Sequence, residues 1–289
     1  MSEVAVTNDE FTAFWNDVLV AKFERFRNIM MGGLGYHSRV PFATLDVPPG
    51  SRIVDVGCGW GDTAIELARK TGPKGSVLGL DCCDAFLERG RADARAAGLG
   101  NVRFIVADVQ TYAFERDFDL CFSRFGMMFF SNPVAATRNV RSALKPGGRL
   151  VFVVWRTIDD NPWLGVPKKV VLRFLPPPGE DAATCGPGPF SMANPDVVGA
   201  QLKAAGFVDP AFTRVDGPVM VGRDVDQAVE FQMALGPAGE IVREAGVEAE
   251  RRKDEIERAL REEIARYRQP DGSIVLQSSS WTVTARNPG

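Results

Sequence analysis

Residues 52–62 read Arg52-Ile53-Val54-Asp55-Val56-Gly57-Cys58-Gly59-Trp60-Gly61-Asp62, and Thr63-Ala64-Ile65-Glu66-Leu67-Ala68 follows. Apolar and β-branched positions lead into three glycines and then a helical pattern. The stretch predicts a buried strand, a tight turn and a helix whose N-terminus is aimed at a ligand. Glycine suits the turn because it tolerates φ > 0 and lets a ligand approach the backbone. The freed N–H groups and the positive end of the helix dipole favour acceptor atoms or negative charge. Spacing narrows the ligand further. A dinucleotide fingerprint needs G-x-G-x-x-G, and its third glycine position holds Asp62 here. No G-K-[ST] follows, so a phosphate P-loop is unsupported. Asp55-x-Gly57-x-Gly59-x-Gly61 remains.

Outward from that turn, strand and helix patterns alternate. Residues 76–80 form a second strand ending at Asp81, about 20 residues past Gly61. A carboxylate there offers two acceptor oxygens to two ribose hydroxyls, which indicates a nucleoside rather than a particular cofactor. Residues 85–97 are helical, and 102–108 read as a third strand with Asp108 at its end. Residues 117–122 are a fourth strand. Ligands on open α/β sheets sit outside the carboxyl ends of strands, so Ser123, Arg124 and Phe125 face the ligand. Residues 127–130 shape an apolar pocket or the core behind it. Ser131-Asn132-Pro133 opens a helix that stops at Lys145-Pro146-Gly147-Gly148, and 150–155 is a fully buried fifth strand. This alternation requires right-handed crossovers and a parallel sheet covered on both faces.

The glycine turn, Asp81, Asp108, and the Asp119 strand followed by Lys145-Pro146-Gly147-Gly148 occur in one order across residues 52–155. Together they resemble the class I S-adenosylmethionine-dependent methyltransferases, most of all the ubiquinone/menaquinone-biosynthesis-type small-molecule branch. The resemblance implies an α/β, Rossmann-like fold. Its seven-stranded, mostly parallel sheet has helices on both faces, an antiparallel final strand, and helical lid and substrate insertions. It implies S-adenosyl-L-methionine as cofactor, held by Asp55, Gly57, Cys58, Gly59, Gly61, Asp81, Cys82 and Ser123. Asp108, with Val109 and Gln110, would meet the adenine amine. The implied activity is in-line methyl transfer to an N, O, S or C nucleophile of a small-molecule acceptor. Two rivals are an NAD(P)-dependent oxidoreductase, which Asp62 disfavours, and a non-catalytic S-adenosylmethionine-binding protein.

The flanks carry the acceptor candidates. Residues 8–31 place Phe11, Phe14, Trp15, Val18, Leu19, Phe23, Phe26 and Met30 at helical spacing, after a Thr7-Asn8-Asp9-Glu10 capping box. Such a helix packs the core or walls a substrate pocket. Gly32-Gly33-Leu34-Gly35 reads as a flexible joint before Tyr36 and His37. His37 is the sole histidine and titrates near neutral pH unless perturbed. It is either a packing residue or, with Tyr36, a base for the acceptor. Tyr36, His37 and Arg124 are thus the catalytic candidates, and Trp15, Phe125, Trp155 and Trp163 the substrate-pocket candidates. Residues 157–194 look like an insertion over the rim, 195–205 like a helix, and 207–215 like a sixth strand. Residues 225–268 are helical, with Ile256, Leu260, Ile264 and Tyr267 in one stripe among mixed charges. Residues 279–285 form a final strand, antiparallel beside the sixth. The expected division is an N-terminal helical cap (1–40), core (41–156), rim insertion (157–194), core continuation (195–222), helical lid or homodimer contact (223–270) and final strand (271–289).

Bulk properties set the outer bounds. The 289 residues, 45% apolar and 25% charged, suffice for a large core plus accessory elements. A net charge of −3 argues against nucleic-acid and anionic-membrane partners. The apolar run at 150–155 is far short of the roughly 20 residues that span a bilayer. Met1-Ser2-Glu3-Val4 has no basic flank or apolar signal segment, so a cytoplasmic location is expected. Five cysteines without a C-x-x-C pair, and one histidine, predict reduced thiols and no metal site.

Overall fold

A computed structural model describes residues 8–289. Thr7 of the expected capping box and the Met1–Val4 stretch lie outside the described residues. The N-terminal pattern forms three helices rather than one: α1 (Asp9–Phe14), α2 (Val20–Arg25) and α3 (Arg27–Thr44), with a π-helical turn at Trp15–Leu19 between the first two. The expected flexible joint at Gly32–Gly35 is instead part of α3. A side chain at Gly33 would come within 2.8 Å of Val219, so this glycine serves close packing rather than flexibility.

The core alternates as the sequence predicts: β1 (Arg52–Val56), α4 (Asp62–Thr71), β2 (Ser76–Asp81), α5 (Asp84–Ala96), β3 (Val102–Val106), β4 (Phe118–Arg124), α6 (Pro133–Ala143) and β5 (Leu144–Trp155). Asn132 caps α6 by accepting the Ala135 N–H at 2.9 Å, with Pro133 at the first helical position. α7 (Pro162–Val171), α8 (Pro195–Ala204) and β6 (Val208–Gly222) follow. Then come α9 (Val225–Ala234), α10 (Gly236–Ala245), α11 (Val247–Arg251), α12 (Lys253–Ile264) and β7 (Ile274–Arg286).

The seven strands lie in the order β3-β2-β1-β4-β5-β7-β6. Strands β1–β5 pair in parallel, and β7 runs antiparallel to both β5 and β6. β7 therefore inserts between β5 and β6, and both terminal strands are longer than their sequence patterns suggest. Ile53, Val54, Val56 and 150–155 are buried, as strands covered on both faces require. The chain leaves β1 toward β2 and β3, then crosses back to β4 on the other side. That reversal opens a crevice at the carboxyl ends of β1 and β4, where ligands of such sheets bind. The Lys145–Gly148 stop is taken into β5 as an irregularity, with a register shift between Phe118 and Leu120. Gly147, at φ 78°, donates its N–H to the Asn287 carbonyl at 2.8 Å.

α3 lies across the antiparallel β6–β7 pair. His37 Nε2 is 2.7 Å from Ser278 Oγ and its Nδ1 is 2.8 Å from Ser280 Oγ. The Tyr36 ring fills the space where a side chain on Gly217 would stand. Among the described residues no helix is long and apolar enough to cross a membrane.

Candidate active site

The three glycines after β1 are needed for two different reasons. A Cβ on Gly57 would meet the Gly126 Cα at 2.8 Å, and one on Gly61 would meet the Phe104 ring at 2.6 Å. Both are packing demands. A Cβ on Gly59 would meet nothing within 4 Å, because Gly59 borders a cavity. All three have positive φ, and Gly61 is the left-handed residue that opens α4.

Asp81, at the end of β2, accepts the Gly59 N–H at 2.8 Å through Oδ2 and the Cys83 N–H at 3.0 Å through Oδ1. Burial pushes its carboxyl above the usual range, and backbone N–H donors draw it back. A carboxylate has about four lone-pair sites, so these two hydrogen bonds do not exhaust it. Asp108 Oδ1 accepts the Gln110 N–H and the Asn8 amide, both at 2.9 Å. Asn8 in turn accepts the Ser131 N–H at 2.9 Å, so the start of the first helix is strapped to this edge. Asp81, Cys82 and Cys83 bring three potential metal-ligating atoms within 4.8 Å. Asp81 is engaged by backbone donors, and the Cys82 contact and burial push the Cys83 thiol far up. The set is thus poorly disposed to supply thiolates.

Beneath the turn, Asp55 is fully buried and accepts the Thr63 hydroxyl at 2.6 Å. Burial pushes its carboxyl up to about 7, with Thr63 and Arg124 opposing. Asp55 and Ser123 do not border the cavity. Arg124 does border it, but its guanidinium is spent on Asp62, with Nη1 and Nη2 donating to the two carboxylate oxygens at 2.7 and 2.8 Å. The residue that breaks the dinucleotide spacing thus neutralises the arginine at the end of β4.

The cavity holds about 630 Å³, within the range of sites for small ligands. Gly57, Cys58, Gly59, Asp81, Cys82, Asp108 and Val109 line one part of it; Gly61 and Gln110 stand behind. Trp15, Phe125, Trp155 and Trp163 line the remainder, with Phe11, Phe129 and Phe231. A nucleoside cofactor fits this donor set: one open glycine, one strand-end acid with free lone pairs, and apolar walls.

A family described as "methyltransferase domain" matches residues 53–148. Residues 53–148 are a methyltransferase domain. Over 138 residues the chain is 32% identical to a ubiquinone/menaquinone biosynthesis C-methyltransferase, UbiE, of Pseudomonas putida, a match covering 47% of this chain and 54% of that protein. Over 104 residues it is 35% identical to an aklanonic acid methyltransferase, DauC, of a Streptomyces species, covering 36% and 47%. The chain thus spans about half the length of the curated relatives it matches. The fold is similar to that of a phosphoethanolamine N-methyltransferase of Haemonchus contortus, solved with S-adenosylhomocysteine, at a TM-score of 0.59 and 17% identity over 99% of this chain and 61% of that one. The cofactor of this domain type is S-adenosylmethionine.

Two catalytic candidates stand away from the cavity. Neither Tyr36 nor His37 lines it. Ser278 donates its hydroxyl proton to the Gly217 carbonyl, so His37 Nε2 must donate to Ser278 and Nδ1 must accept from Ser280. Burial lowers the imidazole to about 4, with Asp216 pulling weakly upward. The sign follows from linkage: the unfolded chain takes up a proton near 6.5 and the folded one does not. Stability is therefore complete above about pH 6.5 and falls as pH drops toward 4, by about 2 kcal/mol at pH 5. Urea midpoints at pH 7.5 and 5 are expected to separate for the natural protein, and to separate far less for His37→Gln. Equal separation would show that His37 is not the group responsible.

Lys168 of α7 and Glu240 of α10 also line the cavity. Neither sits in a recognisable motif. Only packing of α7 against α10 brings them to the methyltransferase core. Glu240 Oε2 accepts Arg243 Nε at 2.9 Å, while its buried Oε1 has no partner among the described residues.

Proposed function

We propose that this protein transfers a methyl group from S-adenosylmethionine to a small, apolar, ring-bearing acceptor. The observation that carries the reading is one continuous cavity. Gly57, Gly59, Asp81 and Asp108 border one part of it, and aromatic side chains border the rest. When bound, the cofactor supplies an electrophilic methyl on a sulfonium. The chain's own residues then bind, orient and exclude water. Gly59 leaves the backbone open to the nucleoside, Asp81 takes its ribose hydroxyls, and Asp108 lies where the base would end. Trp15, Phe125, Trp155 and Trp163 hold the acceptor. Alignment of this kind contributes up to about 7–11 kcal/mol in favourable cases.

Residues from α9 and α10 close the cavity on one side, which supports a lid role for 223–270 and a dry site. Asp81 and Asp108 are engaged by backbone donors, so Glu240 is the carboxylate placed to take a proton from an acceptor that must lose one. The acidic net charge favours a small molecule over nucleic acid, and five free thiols fit a cytoplasmic setting. The test is incubation with methyl-labelled S-adenosylmethionine and a panel of aromatic phenols, amines and thiols. Label is expected in an acceptor, matched by S-adenosylhomocysteine. Calorimetric binding of NAD without binding of S-adenosylhomocysteine would overturn the reading.

A further inference from the structure

The chain has five tryptophans. Four spend their indole N–H inside the protein: Trp15 donates to the Cys185 carbonyl at 3.2 Å, Trp60 to Glu24, Trp163 to Asn161 Oδ1 at 3.2 Å, and Trp281 to the Ala193 carbonyl at 3.0 Å. Trp155 is only 3% exposed, yet its N–H donates to no acceptor among the described residues. That nitrogen is not among the fully buried polar atoms that lack a partner, so the N–H of this otherwise enclosed ring opens onto accessible space, where indole N–H groups usually find a partner.

The ring cannot turn to seek one. Phe125 stacks on it at 3.9 Å and 19°, Trp163 tilts against it at 5.3 Å, and the His37 ring meets it edge-on at 5.0 Å. Two spaces border Trp155. One is a void lined also by Ile29, Gly33 and Val219, with no room for a water molecule. The other is the acceptor part of the main cavity. Of the two, only this one has room for a partner of the N–H.

We propose that Trp155 determines acceptor specificity. Its indole N–H hydrogen-bonds a neutral carbonyl oxygen on an apolar ring compound, while Phe125 and Trp163 fix the plane of the indole. The indole is a donor only, so it selects for a lone pair. Its immediate neighbours are aromatic rings and the neutral imidazole of His37, which disfavour a desolvated carboxylate. The inference rests on the methyltransferase reading of the cavity.

Two probes of matched shape test it: 2-acetonaphthone, with a carbonyl, and 2-ethylnaphthalene, without one. Protein carrying ¹⁵N-labelled tryptophan gives five indole signals, and the one lost in Trp155→Phe belongs to Trp155. That signal is expected to move downfield with the ketone and upfield with the hydrocarbon. The ketone-over-hydrocarbon binding preference is expected to fall about fivefold in Trp155→Phe. Equal movement with both probes, no movement, or an unchanged preference overturns the proposal. S-adenosylhomocysteine is titrated alongside. A protein that binds it but fails the Trp155 criteria overturns this inference alone; one that does not bind it overturns the methyltransferase reading.

Discussion

Asp81→Ala is expected to weaken S-adenosylhomocysteine binding by roughly a hundred-fold or more. The two carboxylate oxygens already hold the Gly59 and Cys83 N–H groups, so the acid both shapes the turn and presents its remaining lone pairs to the ribose. Hydrogen bonds to a charged group contribute about 1.5–3 kcal/mol each. Losing two of them costs about 3–6 kcal/mol, or roughly a hundred- to ten-thousand-fold in Kd. Asp81→Asn, which keeps one acceptor oxygen, should fall between. Calorimetry decides the matter: a Kd for Asp81→Ala close to the natural value would mean that the ribose lies elsewhere.

The second large effect is expected at Asp62. Arg124 is nearly enclosed, at 7% side-chain exposure, and Asp62 neutralises it through two short hydrogen bonds. Removing one partner leaves a charge stranded in a poorly solvated place. Buried pairs lose about 3–5 kcal/mol in this way. Asp62 keeps 27% exposure and Ser38 Oγ lies 3.3 Å from the guanidinium, so a loss near about 3 kcal/mol is expected for Asp62→Ala. The double variant Asp62→Ala/Arg124→Leu should regain most of it, since no charge is left to strand. Urea melts of the two variants check this. They also separate two roles for Arg124. If the arginine only braces α4 against β4, the double variant still transfers methyl groups; if it touches the acceptor, that protein is stable but inert.

Much of this architecture is legible in the sequence because it depends on local rules. The glycine turn, the strand-end acids Asp81 and Asp108 and the Asn132-Pro133 helix start each announce themselves within a few residues. The Gly32–Gly35 segment misleads for a physical reason: three glycines look like a joint, while Gly33 is small because Val219 crowds it from a strand near the other end of the chain. Arg124 is a similar case. Its position at the end of β4 places it on the ligand side, but its partner Asp62 belongs to a different element. Lys168 and Glu240 have no local signature at all, since only the packing of α7 and α10 turns them inward. His37 is identified as a singular residue, but the serines that hold it lie more than 240 positions downstream.

That distance has a bearing on how the chain is made. A ribosome releases α3 early, yet the Ser278 and Ser280 hydroxyls that receive His37 emerge close to the end of translation. Nascent α3 can seat Phe42 on Phe122 of β4, but its His37 side lacks partners while the parallel strands assemble beside it. Docking must wait for β7 to slot between β5 and β6, a closure of high contact order and correspondingly slow. A chain terminated before Ile274 would carry the glycine turn and the β6 partners of α3, but would leave His37 without the two serines that hold it.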